Sequence, residues 1–240
     1  MVQIKEFRVV MPMSLEEYQI AQMYMVMKMQ QQNTSSSEGV EVLENRPLED
    51  DVFGQCQYTS KVYRLQSKAP TWLTTFAPAD ALIMQEEAWN AYPRCKTVIK
   101  CPYFTKFSLT VETIHRADNG QSENDTCKPV MTAYKLVTVD APYWGFGYRL
   151  EQAILAGERA LFLESHRNCF AWIDEWFGMS MQQIRELELQ SDFSLNKKIG
   201  KPTVMTTSED FDQKLPLENE DAQGKRFQPK PEKHELVVDT

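Results

Sequence analysis

Thr59 and Lys61 stand two residues apart on a segment rich in β-branched and aromatic side chains, so both project from one face of a strand. A hydroxyl beside an ammonium suits a polyol or a phosphate, although most such pairs lie on solvated strand faces. Lys135 is the more unusual residue. In MTAYKLVTV it sits between Tyr134 and Leu136 on a strongly apolar run, where a lysine either snorkels outward or neutralises a buried anion. The alternating Met23, Met25, Met27 and Met29 offer either an adaptable lining for mobile methylenes or ordinary core filling. Tyr143, Trp144 and Phe146 follow Pro142 in a short aromatic run; exposed, such rings favour a membrane interface, and tucked in they staple the helix that follows. Nucleophilic chemistry has little to draw on. Cys95 or Cys169 with His115 or His166 is the hydrolase arrangement available, and no nucleophile elbow accompanies it.

The elements that must position these groups alternate in a readable way. Residues 2–10 form a strand stopped by Pro12. Ser14 and Glu17 make a capping box that opens a helix over 14–31. Strands follow at about 39–44, 57–66, 82–92, 94–101 and 106–115, with a short helix or loop between Pro70 and Pro78. Residues 118–129 are rich in turn formers and contain Asn119-Gly120, a common hairpin dipeptide. Another strand covers 131–139. A long amphipathic helix runs over 147–177, and Ser180 with Gln183 opens a last helix through about Gln190. A long amphipathic helix over a curved antiparallel sheet can enclose an apolar cavity with a few convergent polar groups. From 191 onward the chain has four prolines and intermixed charges, 10 acidic and 8 basic, and is expected to be disordered. The organisation is thus one domain over 1–190 and a tail over 191–240. Within the tail, the acidic stretch from Thr206 resembles a receptor-read motif only loosely, though the tail as a whole could recruit a protein partner.

Composition narrows the function. The 240 residues carry a formal net charge of −8, the wrong sign for a nucleic-acid binder, which needs clustered Lys and Arg to neutralise phosphates. Five cysteines with no signal-peptide core before them point to reduced thiols and a cytoplasmic protein. No run reaches the ~18 apolar residues of a membrane span, so membrane contact is expected to be transient and peripheral.

Several stretches are similar, nearly word for word, to phosphatidylinositol transfer proteins: GVEVLENRP (39–47), QYTSKVY (57–63), EEAWNAYPRCKT (86–97), AYKLVTV (133–139) and HRNCFAWIDEWFGMSMQQIRELE (166–188). In LENRP, YWG, DEWFGM and IRELE the chain looks closer to the retinal degeneration B-like branch. The resemblance implies an α/β (α+β) START-like fold, in which a concave antiparallel sheet and long helices enclose one phosphatidylinositol or phosphatidylcholine, headgroup innermost. No cofactor and no catalytic residue is implied, and the phospholipid is cargo. By the same resemblance Thr59, Lys61, Asn90 and Glu188 match positions that hydrogen-bond the inositol ring. Gln22, Thr97, Thr113 and Lys135 match positions around the lipid phosphate, and Cys95 matches the thiol beside the headgroup. Tyr143 and Trp144 match the paired aromatics of a membrane-docking loop.

The chain departs from that family at 118–129, where several dozen residues, including a strand, are absent. The loss is expected to leave an unpaired edge beside 131–139, unless the strand ending near His115 pairs directly with it through a short hairpin and the sheet becomes narrower. A non-transferring lipid sensor or adaptor is the alternative function that such a gap would favour.

Overall fold

Alternation of side chains decides the sheet. In β1 (Gln3–Met11) the residues Phe7, Val9 and Met11 are fully buried, whereas Glu6 and Arg8, on either side of Phe7, lie in solvent and pair at 2.6 Å. In the computed structural model, which describes residues 2–65, 69, 71–75, 78–120, 128–200 and 238–239, the same rule organises six further strands. These are β2 (Gly39–Asp50), β3 (Gly54–Arg64), β4 (Ile83–Ala91), β5 (Arg94–Lys100), β6 (Ser108–Arg116) and β7 (Met131–Asp140), and a two-residue β8 (Val238–Asp239) completes the sheet. The order is β2-β3-β4-β5-β6-β7-β1-β8, and every pair is antiparallel.

Three helices cover the buried face. α1 (Leu15–Gln32) packs on both α3 (Gly147–Ala171) and α5 (Met181–Ile199), while α3 rests on β1 and β7 and α5 rests on β2. Two short helices, α2 (Thr71–Thr74) and α4 (Ile173–Trp176), complete the set. The result is the α+β, START-like arrangement of a sheet roofed by long helices. Both expected capping boxes are present: Ser14 Oγ accepts from the Glu17 amide at 3.1 Å, and Ser180 Oγ accepts from the Gln183 amide at 3.2 Å.

Several elements differ from the sequence expectation. β2 continues from 44 to Asp50 through Pro47, which is tolerated because β2 has an open side on which no ladder donor is needed. The helix expected over 147–177 breaks at Trp172, whose φ of −111° leaves the helical range; the Trp176 indole then donates to the Cys169 carbonyl at 2.7 Å. The four methionines do not form one stripe. Spaced by two, they fall on different helix faces, and it is Met25 that enters the core with Met29 packed beside it.

The edge expected beside 131–139 does not exist. β7 has β6 on one side and β1 on the other, with Arg116 opposite Thr132 at the hairpin end. Asp118 anchors the start of the connection, accepting from the Gly120 amide at 3.1 Å and the Tyr134 hydroxyl at 2.9 Å, and its carbonyl accepts from Thr132 Oγ1 at 2.7 Å. Gly120 takes the positive φ, +70°, that a glycine tolerates best, but the two-residue hairpin turn expected at Asn119-Gly120 is not seen, and 121–127 lie outside the described residues.

Nor does order stop at 190. α5 runs on to Ile199, about two and a half turns further, and closes on Gly200 at φ +72°, after Lys197 and Lys198 in its last turn. Those turns bury Ser191, Leu195 and Asn196. Asn196 works as a piece of substitute backbone: its Nδ2 donates to the Val42 carbonyl and its Oδ1 accepts from the Val42 amide, both at 2.8 Å. One side chain thereby caps the open edge of β2. In the expected tail, Val238 and Asp239 pair with Val9 and Arg8 of β1; the acidic segment from Thr206 lies outside the described residues.

Removing the Asn196 amide strands two backbone groups of Val42, each at ~1–3 kcal/mol. Asn196→Ala should therefore lower stability by about 2–4 kcal/mol in urea unfolding, while the exposed Lys197→Ala stays within about 0.5 kcal/mol. Equal midpoints for the two variants would show that the end of α5 is not docked.

Candidate functional site

The register of the sheet assembles the site. Directly opposite one another, strand to strand, lie Gln57, Asn90, Cys95, Thr113, Lys135 and Phe7. Two residues along, a second row runs Thr59, Ala88, Thr97, Val111 and Val137, and a third runs Lys61, Glu86, Ile99, Leu109 and Val139. Cross-strand partners share a face. Seven of the residues singled out from sequence, Thr59, Lys61, Asn90, Cys95, Thr97, Thr113 and Lys135, therefore line one surface under the helices. The first row stays polar through Thr113 and Lys135, whereas the second and third turn apolar on β6 and β7.

The helices close polar contacts over these rows. Lys61 Nζ donates to Gln30 Oε1 of α1 at 3.3 Å, Gln30 Nε2 donates to the Tyr63 hydroxyl at 3.1 Å, and that hydroxyl donates to Glu86 Oε1 at 3.3 Å. Cys95 Sγ donates to Asn90 Oδ1 at 3.0 Å. Lys135 Nζ lies 3.5 Å from Thr113 Oγ1 and 4.9 Å from the centre of the Phe162 ring of α3. Gln22, on the inward side of α1, has a buried Oε1 with no hydrogen-bond partner among the described residues.

Electrostatics mark this space as enclosed. Lys135, Glu86 and Glu158 each keep part of their surface accessible, yet burial is the leading influence on all three. It pulls the Lys135 ammonium down, pushes the Glu86 carboxyl up against the opposing pull of Lys61, and pushes Glu158 up to about 7. All three are desolvated although none is fully covered. Burial also raises the Cys95 thiol, with Lys135 and a Thr97 hydrogen bond working the other way.

Glu188 sits on α5 at the rim and is held by Arg185 Nη1 at 2.6 Å. It reaches the rows through Asp192, whose carboxyl, raised by burial, accepts from Asn45 at 2.7 Å and feels both Lys61 and Glu188. The two loop aromatics part company. Trp144 is 99% exposed, whereas Tyr143 stacks on Phe146 at 5.4 Å, meets the edge of Phe104 at 5.3 Å, and accepts from the Lys106 amide at 3.1 Å.

The hydrolase arrangement does not form. His166 uses both ring nitrogens, on the Tyr18 hydroxyl at 2.9 Å and the Phe162 carbonyl at 2.6 Å, and burial lowers its pKa to about 3. His115 is engaged with the Pro93 carbonyl at 3.0 Å and is lowered to about 4. Cys169 is fully buried with its thiol raised to about 12, the opposite of an activated nucleophile.

Sequence reasoning missed Glu86, Glu158, Tyr63, Gln30 and Asp192. A signal existed for Glu158, which falls on the stripe Leu155, Glu158, Phe162 of α3, a charged residue inside an apolar helical period. Glu86 had none, since nothing but strand register places it opposite Lys61.

Comparison with known proteins agrees with this geometry. The family model described as phosphatidylinositol transfer protein matches in two pieces, residues 2–128 and 124–192, which meet at the β6–β7 connection. Phosphatidylinositol transfer protein 1 of Dictyostelium discoideum is 36% identical over 252 aligned positions, 82% of this chain and 95% of that protein. Since 82% of 240 residues is about 197, about 55 aligned positions have no counterpart in this chain. Membrane-associated phosphatidylinositol transfer protein 2 of Homo sapiens is 34% identical over 256 positions, and protein retinal degeneration B of Drosophila melanogaster is 33% identical over 266. Each match covers 82% of this chain but only 19% and 21%, respectively, of those longer proteins. With a family model that spans nearly the whole ordered sheet-and-helix unit and relatives above 30% identity across it, the chain belongs to the phosphatidylinositol transfer protein family.

Proposed function

We propose that this chain binds one phospholipid in the cavity between the sheet and the helices and carries it between membranes, with phosphatidylinositol as the favoured cargo and phosphatidylcholine as a second. The observation that carries this reading is the row Asn90, Cys95, Thr113, Lys135, which sets a desolvated ammonium among small polar groups on one covered face. A lipid phosphate supplies the anion that such an ammonium lacks. Lys135, Thr113, Thr97 and Gln22 are assigned to the phosphate, with Cys95 beside it. Thr59, Lys61, Asn90 and Glu188 are assigned to inositol, whose hydroxyls need both donors and acceptors. The apolar ends of the rows suit acyl chains.

Membrane contact is assigned to Trp144 as the inserting ring, with Tyr143 as the strut beneath it. The contact is read as peripheral and transient, made from the cytoplasm; none of the helices among the described residues is long and apolar enough to cross a membrane. The second reading is a non-transferring sensor or adaptor whose tail recruits a protein. In its favour stands the shortened β6–β7 connection; the continuous sheet removes the broken wall on which it otherwise rested.

Native mass spectrometry of the purified chain should show one co-purifying phospholipid, and a clean apo mass in several preparations would count against the cavity. Lys61→Ala should weaken phosphatidylinositol binding about 10- to 100-fold, a loss of ~1.5–3 kcal/mol, and leave phosphatidylcholine nearly unchanged. Lys135→Ala should weaken both. Equal losses in the Lys61 variant would remove its inositol assignment.

Trp144→Ala should reduce vesicle association at an unchanged melting temperature. Tyr143→Ala should cost about 2 kcal/mol of stability through its two ring contacts and its packing. A destabilised Trp144 variant would contradict the exposed loop. A vesicle transfer assay alongside a complete family member separates the two readings: slower but measurable phosphatidylinositol transfer supports the carrier, and binding without transfer supports the sensor.

A further inference from the structure

We infer that Glu158 is the counter-ion of Lys135 in the lipid-free protein and that a lipid phosphodiester takes its place, so that loading the cavity binds one proton at Glu158. The inference rests on the lipid-cavity reading above and concerns the same site.

The geometry comes from α3. Its inward face repeats Glu151, Leu155, Glu158, Phe162 and Cys169, of which all but Glu158 are fully covered. Phe162 is the residue whose ring carries the Lys135 ammonium at 4.9 Å, and Glu158 lies four residues earlier, one turn away on the same face. After burial and Cys95, Glu158 is the next influence on Lys135; Lys135 in turn lowers Glu158 against its burial, and Glu86 raises Glu158 from β4. A phosphate that approaches Lys135 therefore competes with Glu158 for one ammonium.

The remaining titratable groups around this point hold no spare charge. His115 of β6 and His166 of α3 are kept neutral by burial, and Cys95 of β5, Cys169 of α3, Tyr18 of α1 and Tyr63 of β3 are pushed toward their neutral forms. Glu188 and Asp192 of α5 stand at the rim, tied to Arg185 and Asn45. Glu151, two turns before Glu158 on α3, is fully buried and accepts from the Ala141 amide at 3.1 Å; nearer the Lys135 ammonium, two lysines, Lys61 and Lys135, stand against two carboxylates, Glu86 and Glu158. One added phosphodiester leaves this balanced set with an excess negative charge, which a poorly solvated space does not tolerate. Glu86 is opposite Lys61 and accepts the Tyr63 hydroxyl, whereas no side chain among the described residues donates a hydrogen bond to Glu158. Glu158 is the carboxylate that yields, by taking a proton.

The sign follows from the direction of the shift. Burial holds the Glu158 acid near 7 before loading, and a neighbouring phosphate raises it further. Below about 7 the proton is already in place and loading costs nothing extra. Above it the proton must be taken up, so the loading constant falls as pH rises, approaching about tenfold per pH unit until the loaded-state value is passed. The phosphodiester stays singly charged throughout, so the slope belongs to the protein.

The test equilibrates the full chain with phosphatidylcholine vesicles doped with phosphatidylinositol between pH 6 and 9 and measures extracted lipid by mass. Wild type should show the falling loading constant above pH 7. Glu158→Gln, which cannot ionise, should be flat and load about 10- to 100-fold more tightly than wild type at pH 9; Glu158→Asp, which keeps an acid, should keep a slope. Diacylglycerol, which has no phosphate, should load without pH dependence in every variant. A wild-type slope retained in Glu158→Gln, or a flat wild type, overturns the inference while leaving the cavity reading intact. No phospholipid loaded at any pH overturns both.

Discussion

Withdrawing the ammonium of Lys135 from water costs several kcal/mol unless other groups answer its charge, and much of the interior is arranged around that cost. The ammonium lies between a threonine hydroxyl on the neighbouring strand and an aromatic ring on the helix above. Its field also reaches across the space beneath the helices, where it pulls against the effect of burial on Cys95, Glu158 and Cys169 and adds to that effect on His115 and His166. A hydrophobic residue at this position would fill the core more cheaply. A desolvated charge in a cavity is understandable where the ligand brings an anion, and a phospholipid does.

The sheet supplies the geometry that this chemistry requires. Because every pairing is antiparallel, the residues of neighbouring strands stand opposite one another in straight rows; one row is polar as far as Lys135, and the two beside it grade from hydroxyls and charges on β3 and β4 into aliphatic side chains on β6 and β7. An amphiphile with a polar head and two apolar tails matches that gradient. The same topology explains how the chain tolerates a break in the family match at the β6–β7 connection. An antiparallel neighbour can be rejoined by a hairpin, whereas a parallel one would need a crossover of a dozen or more residues. Asp118 ties the start of that connection to the Gly120 amide, and β7 keeps partners on both sides. At the far edge, Asn196 supplies to β2 the two hydrogen bonds that another strand would have supplied.

Function at the surface follows from a division of labour between adjacent residues. Tyr143 is wedged among Phe104, Phe146 and the Lys106 amide, which fixes the loop, and Trp144 next to it projects into solvent. The membrane contact proposed above would use such a ring, held out by a stiff support, without requiring the chain to refold.

Much of this was legible in the order of the residues. Period-two alternation, both capping boxes and the lone lysine in an apolar strand are local signals, each written within a few residues, and family resemblance attached roles to Thr59, Lys61, Asn90, Gln22, Cys95, Thr97, Thr113, Lys135 and Glu188. What the sequence left open were facts of long-range register and exposure. No local pattern says that Glu86 stands opposite Lys61, that Glu158 reaches Lys135, or that Asn196 clamps a strand 154 residues earlier. Nor does it say which of two neighbouring aromatics is the strut and which the exposed ring. The helix stop at Gly200 was readable from Lys197, Lys198 and the glycine itself, but the charged, proline-bearing stretch beyond it drew the expected boundary inward. Local preference sets the elements because it acts through a few neighbouring dihedrals and side chains. The charge balance of the cavity is set by tertiary structure alone, because it depends on which distant groups are brought within reach of one another and on how much water is left between them.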